Sequence, residues 1–497
     1  MMKICCLLLV GTLLAAQNLK PVLAESRPAE RLSPEVQEFV SVHVPVVALR
    51  HVRVVDGTGS SAREDQTVII SGDKIQSVGD SAKIVVPAAA KTLELRGYTV
   101  IPGLIDVHGH MFYTAGNVYT AAGQLASTGI TLNEMSFTYP RLYLGCGVTS
   151  IRTAGTIEPY TDLNLKRMID QGMMPGPKMD VTSPYLEGKG TMFPQMHELT
   201  GAEDSRKTVA FWAEQGITSF KAYMHITRAE LGAAIAEAHR HGHKVTGHLC
   251  SVTYREAVGL GIDNLEHGPL FTDTELVAGK APDVCPSAPD QLHSQAKADI
   301  NGPTVQAIMH DLLQHHVAVT STLPVYELDL PGRPPLRREV LESMLPESRI
   351  SYLTQRANAS TDPDLVLRFK KEMQFEREFV KAGGMLLSGS DPTGVGQVIG
   401  GDLAGFGDQR QVELLVEAGF TPVEAIHIAT ANGAEFLGVS NQVGTIASGK
   451  QADLIVIRGD PSTHIEDIER VDTVFKDGVG YDSSKLINSV RGMVGLR

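Results

Sequence analysis

The sequence is short of cysteine and of positive charge, and its N-terminal apolar run is too short to span a bilayer. Five cysteines occur in 497 residues. Cys5 and Cys6 lie in the N-terminal apolar stretch, which leaves Cys146, Cys250 and Cys285. Three widely spaced cysteines make no disulfide framework, and they lack the paired spacing of a structural zinc site. Buried free thiols are the expectation, with Cys250 close to a histidine of interest. Lysine and arginine number 44 against 57 acids, a formal charge of −13. A protein that grips a phosphate backbone needs a basic face, so nucleic acid is excluded as a partner and a small-molecule substrate is expected. The sequence carries no signal for oligomeric state.

The apolar stretch ICCLLLVGTLLAA follows a basic start and precedes small residues at Val22 and Ala24. That is the layout of a signal peptide, so residues 1–24 are read as one, cleaved after Ala24. A periplasmic or secreted protein follows, with no stable membrane span once the signal is gone; an uncleaved anchor is the alternative. Loss of Lys3 and Lys20 takes the formal charge from −13 to −15.

Residues 25–44 read as a polar, partly helical leader. Residues 45–100 show short alternating segments such as ALRHVRVVDG and QTVIISGDKIQSVG, punctuated by Gly57, Gly59, Gly72 and Asp73. This is the pattern of a small β-domain. From 101 to 436 short apolar segments alternate with helical ones, the signature of parallel βα units. Eight candidate strands stand in order: TVIPGLIDVHGH, VTSIRTAG, PKMDVTSP, ITSFKAYM, HKVTGHLC, DNLEHGP, VAVTSTLPV and GMLLSGSDPTG. Eight such units predict a TIM (β/α)8 barrel. Long intervals before the last two strands suggest lids or helical insertions. The β texture returns at 437–485, and 486–497 is a tail. The expected fold is α/β: a TIM barrel with a small β-sandwich domain built from both chain ends.

Chemistry in such barrels gathers at the C-terminal ends of the strands. The first strand ends in His108 and His110, whose i, i+2 spacing aims both imidazoles the same way. Gly109 between them allows close approach. Lys221 lies on the fourth strand, His248 on the fifth, His267 on the sixth and Asp391 on the eighth. Singly, each has a bland reading: a polar rim residue, a surface charge, a helix N-cap. Together they arrive from five strands at one mouth, which points to a metal site. Tyr223 and His225 follow Lys221 on the same face and are candidate substrate contacts, Tyr223 also as a donor to a developing oxyanion. Arg152, near the end of the second strand, is a candidate for binding a substrate carboxylate. His239, His241 and His243 fall at a helix end on the opposite side of the barrel and read as structural.

VIPGLIDVHGH, TPVEAIHIATANGAEFLG and GTIASGKQADLIVIRGDP, in that order, resemble the amidohydrolase superfamily of metal-dependent hydrolases. The likeness spans nearly all of the chain after residue 24. FKAYMHIT and KVTGHL are similar to its imidazolonepropionase-like and metal-dependent prolidase-like branch. The resemblance implies two divalent metal ions, zinc by default for these donors. His108 and His110 would hold one and His248 and His267 the other. Lys221, carboxylated on its amine, would bridge them, because an ammonium has no lone pair and a carbamate has two anionic oxygens. Asp391 would be both ligand and proton carrier. The implied activity is hydrolysis of a C–N bond, in a dipeptide or an N-acyl amino acid, by a metal-bridged hydroxide. The alternatives are a one-metal deaminase or cyclic-amide hydrolase, and a non-catalytic periplasmic binding protein.

Overall fold

The structure is a computed structural model, and it describes residues 32–119, 125–191, 193–333, 335–393 and 399–495. The signal-peptide reading of residues 1–24 lies outside the described residues.

Eight parallel strands carry the chemistry-bearing side chains. They are β1 Leu104–Gly109, β2 Val148–Thr153, β3 Lys178–Asp180, β4 Ser219–Ala222, β5 Lys244–Gly247, β6 Asn264–Glu266, β7 Ala318–Ser321 and β8 Leu386–Ser388. β1, β2 and β3 form one parallel sheet, and β4 to β8 pair in succession in another. Parallel bridges Thr182↔Ser219 and Leu186↔Ala222 join the chain after β3 to β4. At the other edge, Asp391 beyond β8 donates its backbone N–H to the His108 carbonyl at 2.9 Å. The order and the flanking helices are those of a TIM-barrel-type fold. Parallel strands covered on both faces bury nearly every residue, as β1 and β2 do.

Local sequence explains how the helices start and stop between strands. Thr227 and Glu230, Thr253 and Glu256, and Thr421 and Glu424 each form a reciprocal capping box. Gly261, at φ 92°, ends the helix Tyr254–Leu260 in the left-handed conformation that glycine adopts without penalty. His239 and His241, at the end of the helix Arg228–Arg240, meet Asp263 and Glu237.

A nine-stranded sheet draws on both chain ends. Tyr98–Pro102 pairs antiparallel with Leu454–Arg458 and parallel with Val46–Val54. Val47, Leu49, Val68, Ile70, Leu454, Val456 and Phe475 fill its apolar core. Lys178 of β3 reaches out of the barrel to Asp453 and Asp477 at 2.7 and 2.8 Å, tying β3 to this sheet.

Four details differ from the sequence reading. The expected leader contributes a strand, Val40–Val42, which pairs with Val479–Asp482. The expected tail begins inside the helix Ser483–Asn488, and Val494 bridges to Met344. A hairpin of Phe112–Tyr119 and Leu125–Glu134 intervenes between β1 and the helix Tyr139–Gly145. Cys250 and Cys285 are not free thiols: they form a disulfide, with Cα atoms 4.9 Å apart. The loop after β6 folds back over the end of β5, which separation in sequence cannot foretell. Cys146 stays free and buried.

The helix Pro363–Lys381 carries a fully buried carboxyl, Glu376, whose pKa is pushed up to about 8 by burial, against the opposing effect of Ser321. A carboxyl that is protonated when folded and ionised when unfolded makes the native state the one that holds more protons. Stability from this group therefore falls as pH rises from the usual carboxylate range to about 8, and levels off above that. Glu376→Gln is expected to flatten this slope by on the order of 1 kcal/mol per pH unit. Denaturant midpoints measured from pH 5 to 9 check it, and an unchanged slope contradicts it.

Candidate metal centre

The sequence places six candidate ligands on five strand ends, and the fold brings them to one mouth. His108 and His110 leave the end of β1 on the same side. Gly389 lets β8 pass close by, since a Cβ there would meet the His108 Cβ at 2.3 Å. Gly109 makes room for Tyr143, whose hydroxyl lies 3.1 Å from both the backbone N and O of His110. Asp391 lies beyond β8 and His267 beyond β6. Both have left-handed backbones, at φ 52° and 71°, a conformation uncommon outside glycine. Such strain concentrates at functional sites, and here it turns each side chain back over the strand ends.

The Asp391 carboxylate is the hub. Its Oδ1 lies 3.2 Å from His110 Nε2 and 3.7 Å from His108 Nε2, and its Oδ2 lies 3.9 Å from His267 Nδ1. His108, His267 and Asp391 offer ligand atoms within 4.8 Å of one another. His267 Nε2 is 2.9 Å from His248 Nδ1. Lys221 is 1 % exposed, and its Nζ has no hydrogen-bond partner among the described residues.

The outer ring nitrogens are held from behind, which aims the inner ones. His108 Nδ1 donates to Glu266 Oε2 at 2.7 Å, His110 Nδ1 to the Gly155 carbonyl at 3.1 Å, and His267 Nδ1 lies 2.7 Å from Thr322 Oγ1. Histidines that bind metal are oriented in this way. Asp106 accepts the His108 backbone N–H at 2.7 Å and the Ser390 hydroxyl at 2.8 Å.

Electrostatics favour metal-binding forms. Burial lowers His108 to about 4 and His248 to about 3, so both imidazoles are neutral near pH 7. Burial also lowers Lys221 to about 8, against the pull of Glu266 and Asp391. Burial alone would raise Asp391, but His108, His110 and Lys221 outweigh it and hold the carboxyl well below its usual range.

Tyr223 flanks the centre, edge-on to His248 with ring centres 5.1 Å apart, and packs on Tyr185. His225 stands apart from the histidine cluster. Its ring is partly exposed, 3.4 Å from Glu187, which raises its pKa. Arg152 does not face a substrate. It is 1 % exposed and bonds to Glu266 Oε1 and Asn264 Oδ1, both at 2.8 Å, and to the Val107 carbonyl at 2.7 Å. Its parity on β2 is inward, but its Nε and Nη2 are spent on buried partners from β1 and β6.

Glu266 was missed in the sequence. It stands beside His267 in NLEHG, and strand parity was the available signal: Asn264 and Glu266 share one face of β6. Glu266 is fully buried and also receives the Thr246 hydroxyl.

A family model described as "Amidohydrolase family" matches residues 336–480. Imidazolonepropionase of Arthrobacter sp. (strain FB24) is 31% identical over 93 residues, 16% of this chain and 23% of the relative. The chain thus matches under a quarter of that relative's length. A Xaa-Pro dipeptidase crystallised with methionine shares the fold at TM-score 0.63 and 19% identity, covering 88% of this chain and 100% of that one. A bottromycin amidohydrolase does so at TM-score 0.64 and 20% identity, covering 92% and 94%. The family model and the imidazolonepropionase match agree with the amidohydrolase resemblance of the sequence over part of the chain, and the two structures share its TIM-barrel-type fold.

Proposed function

We propose that this chain hydrolyses a C–N bond in a dipeptide or N-acyl amino acid, at a centre of two divalent ions bridged by carboxylated Lys221. The observation that carries this reading is Lys221: a buried amine without a hydrogen-bond partner among the described residues, within electrostatic reach of His108, His248 and Asp391. A structural lysine at such depth would have an acid against it, as Lys178 has. A neutral amine is the form that attacks carbon dioxide. The new N–C bond yields a carbamate, and the displaced proton leaves to solvent. The lowered pKa of Lys221 supplies that neutral form.

The donor set fits the ions. His108, His110 and Asp391 would hold one and His248 and His267 the other, and zinc suits imidazole with carboxylate. Divalent ions supply Lewis acidity and a nucleophile at neutral pH. Asp391, ionised and touching three imidazoles, would accept a proton and return it to the leaving nitrogen. Tyr223, whose phenol burial keeps protonated, would donate a hydrogen bond to the scissile carbonyl oxygen. His225 would meet substrate farther out.

The tight grouping of His108, His267 and Asp391 also favours a second reading, a one-ion deaminase or cyclic-amide hydrolase. Elemental analysis with a hydrolysis screen of dipeptides and N-acyl amino acids separates the readings. Two ions per chain and chelator-sensitive hydrolysis are expected. One ion per chain supports the second reading, and no turnover on any substrate leaves a binding protein.

We further read the eight parallel strands as a closed barrel over residues 101–436, and the sheet from 45–100 and 437–485 as its β-sandwich partner. Export through a signal peptide at 1–24 is supported by the disulfide Cys250–Cys285, a bond that persists in oxidising compartments.

A further inference from the structure

With Arg152 committed to the barrel interior, another guanidinium stands closer to the substrate side. Arg368, on the helix Pro363–Lys381, is partly exposed and lies beside a pair of rings. Its guanidinium carbon is 5.4 Å from the centre of Phe271 and 5.6 Å from that of Tyr326. Those rings stack on each other at 3.6 Å and 2°. Tyr326 then meets His267 edge-on, with centres 5.6 Å apart. One aromatic ring therefore separates Arg368 from a histidine of the metal centre.

The hydrogen-bonding capacity of Arg368 is nearly unused. Among the described residues its one hydrogen bond is a long one, Nη1 to Gln295 Oε1 at 3.4 Å. Its Nε is buried without a partner among the described residues. Burial lowers its pKa, against the opposing charges of Asp329 and Glu372. Arg152, by contrast, spends its Nε and Nη2 on the Val107 carbonyl, Asn264 and Glu266. A planar cation beside an aromatic stack, with only one long hydrogen bond, is suited to take a carboxylate in a two-pronged hydrogen bond.

We propose that Arg368, standing beside Tyr326, binds the free carboxylate of the substrate. This rests on the hydrolytic reading above and narrows it. The substrate class becomes an N-acyl amino acid or a dipeptide with an unblocked C-terminus, and the corresponding carboxamide should be a poor substrate. The carboxylate would lie on the Tyr326 side of His267, with the scissile carbonyl toward Tyr223.

The test pairs each hydrolysed substrate with its C-terminal carboxamide on metal-loaded protein. Arg368→Met, which keeps the apolar stem, is expected to lower kcat/KM for the acid on the order of 100-fold, mostly through KM, and to leave the carboxamide within about twofold. Arg368→Lys is expected to recover part of the loss. Equal loss on acid and carboxamide would mark a structural role and overturn the proposal, as would a wild type that treats the two alike. A binding measurement keeps the proposal testable without turnover. Calorimetry of N-acetyl-L-phenylalanine against its carboxamide should show tighter binding of the acid to wild type, and no preference in Arg368→Met. A phenylalanine side chain is chosen because Phe112, Tyr185 and Phe193 form an apolar cluster against Tyr223. Identical preference in both proteins overturns the carboxylate assignment. Absence of hydrolysis with the binding preference intact would instead count against the hydrolytic reading alone.

Discussion

Asp391→Asn is expected to lower kcat by about 10³-fold or more on any substrate the wild type hydrolyses. The side chain keeps its size, so packing is nearly unchanged. What disappears is a carboxylate whose two oxygens face His108, His110 and His267 between 3.2 and 3.9 Å. An amide carries no charge to balance a cationic centre and cannot accept a proton in the neutral range. The wild-type carboxyl, held low by the two histidines and Lys221, is ionised throughout that range. Steady-state rates on metal-loaded protein, with metal content measured on the same sample, check the expectation. A variant that retains its ions and turns over within tenfold of wild type would remove Asp391 from the proton path.

Glu266→Ala is expected to cost about 3–5 kcal/mol of stability and about 10- to 100-fold in metal affinity. Glu266 is fully buried and holds three groups at once: His108 Nδ1, Arg152 Nη2 and the Thr246 hydroxyl. Truncation leaves the Arg152 guanidinium buried with no counter-charge and frees the His108 ring to rotate. Two independent readouts separate these effects. Denaturant unfolding of chelated protein reports the buried charge, and competition with a chromophoric chelator reports the ring orientation. Glu266→Gln preserves volume and can still accept a hydrogen bond, so it should fall between wild type and Glu266→Ala in both. Wild-type stability in Glu266→Ala would show that Arg152 finds other compensation.

Much of the centre could be read from strand arithmetic. Two histidines at i, i+2 on an apolar segment must point the same way, and that held for His108 and His110 without knowledge of packing. The family resemblance carried by the closing motifs is matched by the amidohydrolase family model over residues 336–480. Arg152 shows where the arithmetic stops. Parity says a side chain points inward, but whether it rises to the mouth or spans the interior depends on what lies across the barrel. Glu266 lies across, and it takes the guanidinium. The same partner explains why Glu266 itself went unread: its role needs Arg152 from β2 and His108 from β1, which lie 114 and 158 residues away in sequence.

The sequence by itself determined the alternation of parallel strands and helices, the acidic charge, and the identity of the strand-end histidines, lysine and aspartate. These follow from short-range periodicity and from composition, which need no partner. Tertiary structure alone decided the rest. It bent His267 and Asp391 back through left-handed backbones, closed Cys250 onto Cys285 across 35 residues, and set Arg368 beside Phe271 and Tyr326. Each of these depends on groups distant in the chain meeting at close range. That information lies in how helices and loops pack against the strands, where local spacing is silent.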